Sequence, residues 1–178
     1  MRTEPASSAF SQTYEDGAAQ VVWTSIVADL ETPVSAMLKL ADGQSNSFLL
    51  ESVEGGAARG RYSIIGLEPD LIWRCRGDAA EINRSALSDP DGFKACDTGA
   101  LAALRDLVEE SRIDLPESLP PMAAGLVGYL GYDTVALMEK IPSTRPDPID
   151  VPDPSSVLVD QLPDCWTSGT LLTATGSG

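Results

Sequence analysis

The sequence predicts an α+β fold: an antiparallel β-sheet or sandwich with packed helices. Three observations carry this expectation. Strand-like segments follow one another between residues 46 and 77 with turn residues between them, so the chain lacks regular βαβ alternation. Helical periodicity is confined to separate stretches, clearest at 100–113. The length of 178 residues suits one ordinary domain with its own core.

The elements follow in order. Residues 1–19 are small and polar and read as a flexible lead-in. VVWTSIVAD (21–29) is β-branched and apolar, a strand running into a turn. In ETPVSAMLKLAD (31–42), Thr32 is a candidate N-cap and Pro33 suits the first helical position. Met37, Leu38 and Leu40 are expected on the apolar face of that helix. NSFLLESV (46–53) reads as a strand, EGGAARG as a turn, and RYSIIGLEP (61–69) as the returning strand. DLIWRCRG (70–77) sets Leu71, Trp73 and Cys75 against Ile72, Arg74 and Arg76, the period of a half-buried strand.

Residues 78–99 are rich in Asp, Ser and Gly and read as a loop with one short strand at Ala80–Ile82. ALAALRDLVEESRI (100–113) is the clearest helix, with Leu101, Leu104, Leu107 and Val108 in helical period and Asp97 or Thr98 as cap. DLPESLPPM (114–122) is a proline-punctuated linker. Residues 123–141 begin as a glycine-spaced strand, on which Leu126, Tyr129 and Leu130 are expected to pack, and turn helical near Asp133. Residues 142–156 are rich in Pro and Asp and irregular.

Composition narrows the function. A net charge of −15 argues against nucleic-acid binding, which requires Lys and Arg to replace phosphate counterions. Cys75, Cys96 and Cys165 are few and widely spaced, which suits a reducing cytoplasm better than a disulfide framework or a zinc site. No stretch reaches the roughly 18 apolar residues of a membrane span. The chain has no histidine, which removes the usual general base and every Ser-His or Cys-His pairing. The glycines at 125, 128 and 131 are not a Gly-x-Gly-x-x-Gly phosphate loop.

The segment FLLESVEGG (48–56) leaves two readings open. Alternation puts Leu50 and Ser52 on one face of the strand and Leu49 and Glu51 on the other. Ser52 and Glu51 either satisfy the backbone of the following turn or face a ligand that also needs an apolar cradle.

The blocks ETPVSAMLKL, SFLLESVEGG, GRYSIIGLEP and PMAAGLVGYLGYD, in that order, resemble the N-terminal region of anthranilate synthase component I. That family is the chorismate-utilising subunit of tryptophan biosynthesis. The likeness runs from about Val21 to Asp153, and its most specific part is Leu49-Leu50-Glu51-Ser52 followed by Gly60-Arg61-Tyr62-Ser63. The resemblance implies an α+β domain at 20–153 that holds part of an allosteric L-tryptophan site. Ser52 is its foremost candidate residue, with Glu51 and Leu50 beside it and Arg61 and Tyr62 on the returning strand.

The resemblance also implies that catalytic residues and metal ligands are absent here. Mg²⁺ and most of the docking surface for the glutamine amidotransferase subunit (component II) would belong to a separate chorismate-binding domain. The expected ligand is tryptophan, the expected location the cytoplasm, and neither nucleic acid nor membrane is an expected partner. The related aminodeoxychorismate synthase component I and a free-standing tryptophan-sensing module are the alternatives. Residues 154–178 match no family segment and read as a truncated, frameshifted or diverged tail. That leaves the sheet incomplete at its C-terminal end, with an open edge and a marginally stable product.

Overall fold

Local sequence chemistry is most visible where the helix at Pro33–Leu40 begins. Thr32 Oγ1 accepts from the Ser35 amide at 3.1 Å, and Ser35 Oγ accepts from the Thr32 amide at 2.9 Å. This reciprocal cap satisfies two amides, and Pro33 has no N–H to leave unpaired. The computed structural model describes residues 2–51, 62–120, 123–141 and the strands at 155–160 and 172–175.

In chain order the elements are β1 (Thr3–Glu4), α1 (Ser7–Glu15), β2 (Trp23–Thr24), α2 (Pro33–Leu40), β3 (Phe48–Glu51) and β4 (Tyr62–Gly66). There follow β5 (Leu71–Arg76), β6 (Ala79–Asn83), β7 (Lys94–Ala95), α3 (Ala100–Glu110), β8 (Gly125–Tyr129), a 3-10 helix (Tyr132–Leu137), β9 (Ser155–Asp160) and β10 (Leu172–Thr175). Helices beside small, mainly antiparallel sheets make this an α+β arrangement.

The chain divides into two compact units. The first holds Met1–Pro69, Ile113–Ala124 and Asp160–Gly178. Its main sheet is three-stranded in the order β10-β4-β3, with both pairs antiparallel, and α2 packs near β3 and β4. Residues 3–15, expected as a lead-in, carry β1 and α1; no α1 residue is buried. The strand expected at 21–29 shrinks to Trp23–Thr24, which pairs with β1. Beyond it Ile26, Val27 and Leu30 are exposed, so no second sheet surface rewards extension.

The face of α2 differs from expectation. Pro33, Ala36 and Met37 are half-buried at i, i+3 and i+4, whereas Leu38 and Leu40 are exposed. PVSAMLKL is apolar on more than one side, so composition does not select the packing face.

The second unit holds Asp70–Arg112 and Gly125–Val159. Its sheet runs β7-β6-β5-β9-β8. Alternation in β5 follows the sequence reading except at Ile72, which is buried as well. Leu71, Trp73 and Cys75 are buried on one face, and α3, packed near β6, buries Ala100, Ala103 and Leu107. Leu107 is almost completely enclosed, and truncating such a leucine to alanine costs about 2–5 kcal/mol.

The cap of α3 also departs from expectation. Neither Asp97 nor Thr98 caps it; Gly99 is the N-cap residue and offers no side-chain bond. Asp78, just before β6, instead accepts from the Ala100 amide through Oδ1 at 2.9 Å. The other end of α3 is held by a two-pronged ion pair, Arg84 Nη1 and Nη2 to Glu110 Oε1 and Oε2, both 2.7 Å.

Residues 78–99 are more ordered than their composition suggests. Asn83 is fully buried, donates through Nδ2 to the Asp89 carbonyl at 2.7 Å and accepts the Ser85 amide at 2.9 Å. These two bonds fold the chain between β6 and β7 into a fixed turn. β8 forms where the glycine-spaced strand was expected, but Tyr129 and Leu130 are largely exposed, and the half-buried residues are Leu126 and Val127. The helix expected near Asp133 is the 3-10 turn.

The tail expected to leave an open edge supplies two strands. β9 lies between β5 and β8, and β10 pairs with β4. SSVLVD carries a β-branched apolar run and LTAT alternates Thr with Leu and Ala, compositions that suit a paired strand.

Candidate functional site

The candidate site is built on β3 and β4. Their antiparallel register sets Phe48 against Gly66, Leu49 against Ile65, Leu50 against Ile64 and Glu51 against Ser63. Paired residues share a face, so the register sorts the candidates. Phe48, Leu50, Ile64 and Tyr62 lie on one face. Leu49, Glu51, Ser63 and Ile65 lie on the other.

Leu50 and Tyr62 are thus brought together as diagonal neighbours, a spacing of roughly 7–8 Å in antiparallel sheets. Glu51 is placed on the opposite face and is exposed. Ser52 and Arg61 lie outside the described residues. Leu50 is 43% exposed, while Ile64 beside it is buried and Tyr62 is half-buried. The face is therefore apolar and partly open at Leu50, which would allow a flat apolar group to lie against it.

Phe48 and Ile64 join Leu50 on this face although sequence reasoning had not named them as site residues. Period-two alternation backward from Leu50 gives Phe48 directly. Ile64 required the register, which sequence alone leaves open because residues 52–61 are not a two-residue turn that would fix it. Gly66 is the other missed position: the Phe48 ring occupies the place of its absent side chain.

Among the described residues no three His, Cys, Asp or Glu side chains gather into a group able to hold a metal ion. No helix among them is long and apolar enough to cross a membrane.

Comparison with known proteins agrees in its direction. No family model matches the chain. Anthranilate synthase component 1 of Cereibacter sphaeroides is 50% identical over 144 residues, 81% of this chain and 29% of that protein. The protein of the same name from Synechocystis sp. is 38% identical over 161 residues, 89% of this chain and 30% of that protein. A crystal structure of anthranilate synthase component I from Streptococcus pneumoniae aligns with 79% of this chain and 28% of its own, at TM-score 0.44 and 20% identity. The assignment rests on the sequence relatives, of whose length this chain spans less than a third. Over most of its residues, this chain is a homologue of the N-terminal part of anthranilate synthase component 1.

Proposed function

We propose that this chain is the N-terminal regulatory portion of an anthranilate synthase component I, and that its β3–β4 hairpin supplies one half of an L-tryptophan feedback site. The supporting observation is the half-open apolar face of Leu50, Ile64 and Tyr62, in a chain half identical to a protein of that name. The indole lies against this face. We assign Ser52, which follows Leu50 by two positions, to its amino or carboxylate group; Arg61, which alternation from Tyr62 would set with Glu51 and Ser63, is the secondary candidate. Glu51, exposed on the other face, is the candidate that this register supports least.

In the intact enzyme, chorismate and ammonia or glutamine yield anthranilate and pyruvate. That chemistry, its Mg²⁺ and most of the docking of component II belong to a catalytic part outside this chain. Residues 20–153 form the responsive domain of a cytoplasmic complex. A ligand held between the two parts favours one relative orientation, and feedback of this kind requires only about 1–3 kcal/mol of coupling.

The test is a chimera in which residues 1–153 replace the matching segment of the Cereibacter sphaeroides protein. Ser52→Phe and Ser52→Ala raise the tryptophan concentration for half-inhibition by about tenfold or more, within the usual range of coupling, and leave kcat unchanged. Inhibition at an unaltered tryptophan concentration overturns the assignment of Ser52.

A further inference from the structure

We draw no further inference here: the strongest candidate, the exposed apolar residues Val34 and Leu38 of helix α2 together with Val27 and Leu30 in the segment before it, carries nothing because nothing in the structure shows what covers it.

Discussion

The ring of Phe48 lies across Gly66, its register partner on the neighbouring strand, in the space that a β-carbon would fill. An aromatic ring closing over a bare backbone position is a recognised way of pinning the register of a strand pair. Here it fixes which residues share the face of Leu50.

Gly66→Ala is therefore expected to destabilise the first unit by about 1–3 kcal/mol through overpacking. The same substitution in a Phe48→Leu background costs less, because the smaller side chain leaves room for the methyl group. Urea unfolding of the four members of this cycle checks the coupling. Equal costs in both backgrounds would show that ring and glycine do not meet.

A second cycle concerns the start of α3. Asp78→Ala removes the carboxylate that caps the Ala100 amide and lowers stability by about 0.5–2 kcal/mol. A β-carbon at Gly99 would stand 2.6 Å from Asp78 Oδ1, so Gly99→Ala displaces the same cap. In the Asp78→Ala background, Gly99→Ala becomes nearly neutral. Thermal melts that add the two costs in full would contradict this.

The start of α2 responds to acid. The exposed Glu31 carboxylate accepts from Lys39 Nζ and from Ser35 Oγ, the latter at 2.8 Å. Lys39 foremost, then Ser35, holds its pKa below the ordinary 4.5. A carboxyl lowered on folding contributes stability that is fully present above its unfolded value and lost as pH falls through the folded one. The protection factors of the α2 amides, corrected for the intrinsic exchange rate at each pH, should fall as the pH drops below about 4.5. In Lys39→Ala the Glu31 midpoint, followed by carboxyl NMR shifts, moves up toward its ordinary value. A midpoint that stays in place would remove Lys39 as the cause.

Thiol chemistry probes the second unit. Burial pushes the half-buried Cys96 thiol above its ordinary 9.0, against the opposing pull of Arg84. In a Cys165→Ser variant at pH 8, Cys96 should alkylate more slowly than a free small-molecule thiol. Arg84→Ala slows it further, and buried Cys75 reacts only on unfolding. Faster labelling of the Arg84 variant would reverse the assigned influence of that cation.

Features set by neighbouring residues were legible in the sequence, and features set by distant ones were not. The Thr32–Pro33 start of α2, the alternation of β5 and the body of α3 follow from residues within a few positions of one another. The cap of α3 was assigned to the nearest polar residues, but Asp78 lies 22 positions before Ala100 and arrives by way of the sheet. The packing face of α2 was misassigned because two apolar stripes compete on one short helix. In the candidate site, the strand pair was legible from its composition. The separation of Glu51 from Tyr62 follows once their register is fixed. β9 and β10 carry adequate strand composition, yet their places in the sheets depend on partners far upstream.

The central place of β4 in its sheet has a consequence for folding. Its pairing with β3 closes a short connection, whereas Ile65 and Leu172 are brought together across most of the chain. Loop-closure entropy grows with the logarithm of that separation, and long-range pairings generally form late. During synthesis, the strand bearing Tyr62 therefore waits with one side unpaired until residues 172–175 have emerged. The hairpin is an early structure whose final geometry is set by a late arrival.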